Sequence, residues 1–163
     1  MKENEIVTEQ QAPVVQAQML IRRPVAEVFA AFVDPAITTK FWFTKSSGKL
    51  EQGKAVEWGW EMYGASAAVS VKEIEPNKRI LIEWDNPPCP VEWRFMPRTD
   101  NTTLVTISNW GFHGSDDDVV RQAIDAQGGF TMVLAGLKAW LEHNIELNLV
   151  ADHYPDASQE QGT

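Results

Sequence analysis

The chain has 163 residues, of which 44% are hydrophobic, and this is enough to bury a sizeable core in one globular domain. Its formal net charge of −9 disfavours binding to nucleic acid or to an anionic bilayer, because both are negatively charged. Cys89 is the only cysteine, so no intramolecular disulfide can form, and no stretch approaches the roughly 20 apolar residues of a membrane span. We therefore expect a cytoplasmic protein that neither inserts into a membrane nor binds nucleic acid.

The two ends of the chain differ in composition from the middle. Residues 1–13 are mostly polar, and residues 151–163 combine acids, Gln, Ser and Gly with a proline. Such segments bury little apolar surface and are expected to be flexible. The sequence therefore predicts one folded domain over residues 14–150.

The first predicted elements are a strand over residues 14–22 and a short helix. Pro24 stands where a first helical turn tolerates a missing N–H. Apolar residues then recur at helical spacing: Val25, Val28, Phe29, Phe32 and Val33. Asp34 and Pro35 end this amphipathic helix. Residues 36–43 can hold a second helical turn, which runs into the aromatic cluster FWF.

Residues 50–112 predict an antiparallel meander of five strands. Strand-sized pieces are separated by turn-forming residues: Gly53, Gly64, Pro76-Asn77, Asn86-Pro87-Pro88 and Thr99-Asp100-Asn101. Alternation along the strands assigns apolar residues to an inner face: Val56, Trp58, Trp60, Met62, Ile80, Ile82, Trp84, Val91, Trp93 and Phe95. The residues between them should form a solvated outer face: Glu57, Glu61, Glu83, Glu92 and Arg94.

Two helices are predicted after the meander. Ser115 followed by three aspartates is typical of a helix N-terminus, because acids stabilise the positive end of the helix dipole. We expect this helix to reach Ala126 and to be interrupted at Gly128-Gly129. A second, long helix then carries one apolar stripe: Phe130, Val133, Leu134, Leu137, Trp140, Leu141 and Ile145. This stripe and the inner face of a curved sheet should bury each other.

Four segments resemble, in this order, the activator of heat-shock protein 90 ATPase homologue family of the START-like, or SRPBCC, superfamily. They are IRRPVAEVFAAFVDP (21–35), VKEIEPNKRILIEW (71–84), TLVTISNWGF (103–112) and GGFTMVLAGLKAWLEH (128–143). The resemblance implies an α+β helix-grip fold, in which a curved antiparallel sheet wraps around a long C-terminal helix. It also implies a cavity between sheet and helix, where superfamily members bind lipids, sterols, hormones or polyketides and some catalyse cyclisation or dehydration.

The inward aromatic residues have two explanations, a packed core or the walls of a ligand pocket. Four indoles and a phenyl ring on one concave face are difficult to pack to native density, which favours the pocket. The candidate ligand-binding residues are Trp58, Trp60, Trp84, Trp93, Phe95, Asn109, Phe130, Leu134 and Leu137. Asn109 either orients a ligand by a hydrogen bond or is a strand-end amide that bonds to nearby backbone.

The sequence has no recognisable catalytic or metal-binding motif. His113, His143 and His153 lack metal-ligand spacing, and no nucleophile pattern or phosphate-binding glycine loop is present. We expect no cofactor, no metal and no catalytic residue. The leading hypothesis is therefore binding of a hydrophobic or aromatic small molecule, such as a lipid.

Two alternatives to simple binding stay open. One is a cyclase- or dehydratase-like reaction on a polyketide-type substrate, in which Asn109 or His113 polarises a carbonyl. The other is a co-chaperone-like interaction, in which the acidic outer face docks on a chaperone.

Overall fold

The computed structural model describes residues 12–157, in which a seven-stranded antiparallel sheet packs against helices. The strands are β1 (Val15–Ile21), β2 (Lys45–Ser46), β3 (Ala55–Trp60), β4 (Ala65–Glu75), β5 (Arg79–Trp84), β6 (Cys89–Pro97) and β7 (Thr103–Asn109). The helices are α1 (Val25–Val33), α2 (Pro35–Thr38), α3 (Asp116–His143) and α4 (Leu149–His153). The strand order β1-β7-β6-β5-β4-β3-β2 contains the predicted five-strand meander and confirms the α+β helix-grip fold.

The inner face of the meander is the one that alternation predicts. Ile80, Ile82 and Val91 are buried, and the side chains of Trp58 and Trp93 are each 1% exposed. Met62 departs from the pattern, because β3 ends at Trp60 and residues 61–63 form a short 3₁₀-helix that Gly64 closes at φ 61°.

The outer face is a network of ion pairs as well as a solvated surface. Glu92, which was expected in solvent, has a side chain only 12% exposed, and its carboxylate bonds Nε of Arg79 at 2.6 Å and Nε of Arg94 at 2.9 Å. Arg79 also pairs with Glu73. The antiparallel register explains this arrangement, because it places Arg79 opposite Arg94 and puts Glu92 between the two guanidinium groups.

Helix α3 runs without a break from Asp116 to His143, so the predicted interruption at Gly128-Gly129 is wrong. A glycine lowers helix stability by only about 1 kcal/mol, and the buried stripe that begins at Phe130 outweighs it. The start of the helix is confirmed: Asp118 N–H donates to Ser115 Oγ at 3.2 Å, and Ser115 N–H donates to Asp118 Oδ2 at 3.1 Å. The predicted end of the helix is wrong, because Asn144 at φ 55° stops the helix. Ile145, which the sequence places on the buried apolar stripe, is 51% exposed.

The segment that follows α3 folds back onto the domain. Residues 151–157, which the sequence assigns to a flexible tail, include the last turn of α4. Residues 1–11 and 158–163 lie outside the described part of the chain. Between residues 12 and 157, no helix has both the length and the apolar character that crossing a membrane requires.

Glu142 joins the C-terminal end of α3 to β1. Its Oε2 accepts hydrogen bonds from Arg22 N–H at 2.9 Å and from Lys138 Nζ at 2.7 Å, and Lys138 Nζ also donates to Leu20 O at 3.0 Å. Burial pushes the pKa of Glu142 upward, but the Arg22 N–H and the Lys138 ammonium outweigh it and hold the pKa below its ordinary value. A group with a lowered folded-state pKa stabilises the fold above the unfolded-state pKa, and this stabilisation disappears as the pH falls.

Glu142→Gln should therefore lower the free energy of unfolding by about 1–2 kcal/mol at pH 7, because a charge-assisted pair is lost. The difference from wild type should shrink as the pH falls below the ordinary glutamate pKa of about 4.3. Urea unfolding from pH 7 to pH 3 measures both effects. Glu75→Gln, at an exposed position at the end of β4, is the control and should change neither. A pH-independent loss in Glu142→Gln would contradict the role of the charge.

Candidate functional site

The turn after α2 fills most of the space between the sheet and α3. Thr38 fixes this turn, because its hydroxyl donates to Ala31 O at 2.5 Å and its Oγ1 also lies 3.0 Å from Asp34 O. Trp42 then enters the interior and is 8% exposed. Its ring centroid lies near six aromatic rings: Phe43 (5.7 Å), Trp58 (4.9 Å), Trp60 (6.3 Å), Trp84 (6.2 Å), Trp93 (6.0 Å) and Phe130 (6.0 Å).

Five of the predicted ligand-binding residues lie in this packed interior. They are Trp58, Trp93, Phe95, Leu134 and Leu137, each no more than 4% exposed. Trp58 stacks on Phe43 with ring centroids 4.7 Å apart and an interplanar angle of 19°. The indole N–H of Trp93 is the one buried side-chain polar atom of the described residues that has no hydrogen-bond partner. The arrangement around these five residues is that of a core, and the open space lies elsewhere.

Asn109, at the end of β7, bonds to the neighbouring strand. Its Nδ2 donates to Pro90 O at 2.8 Å and to Cys89 Sγ at 3.3 Å, while the Cys89 thiol donates to Trp110 O at 2.9 Å. Burial raises the pKa of the Cys89 thiol, and the Asn109 amide only partly offsets this. Of the two roles considered for Asn109, this geometry is that of a strand-end amide whose hydrogen bonds are made to nearby groups.

The open space lies between α3 and the ends of the central strands. The first part, here called the helix pocket, has a volume of about 310 Å³. It is lined by Trp42, Trp84, Asp125, Ala126, Gly129, Phe130, Met132, Val133 and Val150. The rings of Trp84 and Phe130 are nearly parallel, with an interplanar angle of 18° and centroids 6.0 Å apart. Aromatic faces therefore form much of its wall.

Two further spaces adjoin the helix pocket. The edge pocket, of about 260 Å³, is lined by Trp60, Tyr63, Ala65, Met132, Val150, His153 and Tyr154. The outer groove is lined by Ile124, Asp125, Gly128, Gly129, Met132, His153 and Tyr154. Met132 borders all three spaces, so they lie side by side along α3, from the aromatic core to the surface. The acidic and basic residues of this region, Asp125 and His153, are exposed at its rim.

Gly128 and Gly129 keep this region open. A Cβ atom built on either residue would meet no other atom within 4 Å. Gly129 borders the helix pocket and the outer groove, whereas Gly128 borders only the outer groove. The sequence suggests the glycine pair as a helix break. In the structure the helix is continuous there, and the two residues without side chains lie beside the helix pocket and the outer groove.

Three of the nine predicted site residues line these spaces, namely Trp60, Trp84 and Phe130. Other lining residues were not predicted from the sequence, among them Trp42, Gly129, Met132 and Val150. The FWF cluster was a signal for Trp42, because three consecutive aromatic residues in a turn have to be buried somewhere. His113 lies in the exposed loop after β7, and its carbonyl accepts a hydrogen bond from Gln122 Nε2 at 2.6 Å.

Comparison with known families identifies the chain. The sequence profile of the family described as activator of Hsp90 ATPase homolog 1-like protein matches residues 22–142. The chain belongs to this family. The match begins directly after β1 and ends one residue before the end of α3, so it contains Trp42, the meander and the lining residues of α3. The family lies in the SRPBCC superfamily, which includes ligand-binding and polyketide-cyclase-like proteins.

Solved structures of similar proteins agree with this fold. A protein from Staphylococcus saprophyticus is 30% identical with a TM-score of 0.72, and the match covers 83% of this chain and 96% of that one. An Aha1 dimer from Colwellia psychrerythraea is 16% identical with a TM-score of 0.69, covering 80% of this chain and 97% of that one. DynU16, from the dynemicin biosynthetic locus, is 20% identical with a TM-score of 0.71, covering 82% of this chain and 48% of that one. No curated protein sequence matches the chain.

Proposed function

We propose that the protein binds a hydrophobic, aromatic small molecule in the helix pocket. The observation that carries this proposal is a pocket of about 310 Å³ whose wall includes the rings of Trp42, Trp84 and Phe130. Ligand sites in proteins are concave, mostly apolar and roughly 300–1,000 Å³ in volume. The helix pocket meets these criteria, and it shares Asp125, Gly129 and Met132 with the outer groove.

The charges around the pocket favour a neutral ligand over an acidic one. Asp125 is the ionisable residue that lines the helix pocket, and the chain as a whole carries a formal charge of −9. An anionic ligand such as a fatty acid would meet repulsion there and find no cation in the lining. Since Asp125 and His153 are exposed at the rim, the proposal is for binding without catalysis.

Relatives of this fold occur near natural-product chemistry. DynU16 belongs to the dynemicin biosynthetic locus, and the superfamily includes polyketide-cyclase-like proteins. A flat aromatic compound, such as a fused-ring metabolite, would match the parallel faces of Trp84 and Phe130.

Gly129→Leu tests the proposal directly. The new side chain would take up space in the helix pocket, because Gly129 lines that pocket and its Cβ position has open space around it. We expect the affinity for the neutral fluorescent probe N-phenyl-1-naphthylamine to fall at least tenfold, as measured by fluorescence titration. Circular dichroism should show an unchanged fold.

Gly128→Leu is the matched control, because it makes the same substitution one residue away and outside the helix pocket. It should bind the probe within about threefold of wild type. Equal loss in both variants would place the probe in the outer groove and contradict the proposed site. Failure of the wild-type protein to bind the probe saturably at micromolar concentrations would overturn the proposed function.

A further inference from the structure

One side chain from α4 borders several of the open spaces. Val150 borders the helix pocket, the edge pocket and a third space of about 200 Å³. This third space, here called the loop pocket, lies between residues 39–44 after α2 and residues 146–151. Trp42 borders both the helix pocket and the loop pocket. Val150 itself is half-buried and packs against the hydrophobic core. One valine therefore borders two apolar spaces and a third, the loop pocket, whose lining includes the charged residues Lys40 and Glu146.

A hydrogen bond from the sheet holds this valine in place. Tyr63, in the 3₁₀-helix after β3, donates its hydroxyl to Val150 O, and its Oη also lies 3.3 Å from Ala151 O. Tyr63 is half-buried and borders the edge pocket. This hydrogen bond between Tyr63 and Val150 O is here called the Tyr63 latch. It joins the wall of the edge pocket to the backbone of Val150, which borders all three spaces.

The segment that carries Val150 has few other attachments. Helix α4 is only five residues long and has no side-chain N-cap. Asn144 and Asn148, at φ 55° and 56°, bound the linker from α3, in which Ile145 and Leu147 are 51% and 44% exposed. A five-residue helix is not stable alone, so Val150 and the Tyr63 latch set the position of α4.

We propose that Val150 determines the size of ligand that the site accepts. With valine, the helix pocket ends at this side chain and suits a compact aromatic ligand. With a smaller residue, the helix pocket would extend into the apolar edge pocket and accept a longer one. This inference rests on the proposed function, because it assigns a specificity-determining residue to the same site.

The experiment compares two neutral probes of different size, N-phenyl-1-naphthylamine and the larger Nile red. In Val150→Ala we expect the Kd for Nile red to fall at least fivefold relative to the Kd for N-phenyl-1-naphthylamine. In Val150→Phe the Kd for Nile red should rise instead. Val120→Ala is the matched control, because Val120 is 54% exposed on α3 and lines none of these pockets.

Tyr63→Phe distinguishes two possible causes of tighter Nile red binding in Val150→Ala, namely the smaller side chain at position 150 and the release of α4. It removes the latch and leaves Val150 intact, so hydrogen exchange at residues 149–153 should become faster without the gain for Nile red. If Tyr63→Phe improves Nile red binding as much as Val150→Ala, detachment of α4 controls the site and the inference is wrong. Equal changes for both probes in Val150→Ala would also overturn it. If N-phenyl-1-naphthylamine binds neither wild type nor any variant, the proposed function itself fails.

Discussion

Trp42→Ala is expected to lower the free energy of unfolding by about 3–5 kcal/mol. The indole is 8% exposed and lies within 6.3 Å, centroid to centroid, of six other aromatic rings. Its removal takes away apolar burial and leaves a cavity that rings anchored on the sheet and on α3 cannot fill completely. Urea unfolding followed by far-ultraviolet circular dichroism measures the loss without relying on tryptophan fluorescence.

Trp140→Ala provides the comparison for this prediction. Trp140 is half-buried on α3, and Lys40 Nζ lies 5.4 Å from its ring centroid. Less buried area is lost there, so we expect a cost of about 1–2 kcal/mol. If the two variants were equally destabilised, Trp42 would not be the centre of the aromatic core, and the account of how the sheet and α3 are joined would be wrong.

The inner face of the meander could be predicted because strand alternation is a local signal. In β5 and β6, every second residue is apolar, and the register of the two strands then fixes which residues share a face. The order of elements, together with the family resemblance, was also sufficient for the fold. These features depend on residues that are close in sequence.

The site was harder to predict because its lining depends on contacts between distant segments. Trp42 lies in a turn, which has no periodicity to show which way a ring points. Val150 stands in a five-residue helix outside the meander and the long apolar stripe, and its position depends on Tyr63, which is 87 residues away in sequence. The large inward indoles indicated an aromatic interior, but the sequence could not show that the FWF turn occupies most of it.

The glycines of α3 show how one residue type can serve two purposes. Gly128 and Gly129 face open space, whereas a Cβ atom on Gly136 would lie 3.0 Å from Phe41 Cβ and 3.2 Å from Phe41 O. A sequence pattern cannot separate these cases, since both place glycine inside a helix. Only the neighbouring turn decides whether a side chain would fit.

Gly136→Leu is therefore expected to lower the free energy of unfolding by about 2–3 kcal/mol. Leucine favours the helix by up to about 1 kcal/mol over glycine, but the contact with Phe41 opposes it. One contact atom is a backbone carbonyl oxygen, which can move only if the turn that carries Trp42 moves too. Trp42 lines the helix pocket, so binding of N-phenyl-1-naphthylamine should weaken as well.

Gly128→Leu again gives the matched comparison, and it should raise the free energy of unfolding by about 0.5–1 kcal/mol, because it gains helix propensity without a clash. Opposite signs at the two positions, measured by urea unfolding, would confirm that α3 rests directly on the turn after α2. The same sign at both positions would mean that helix propensity dominates and that Phe41 yields to a side chain. In that case the position of Trp42, and with it the shape of the pocket, would be set by the sheet instead of by α3.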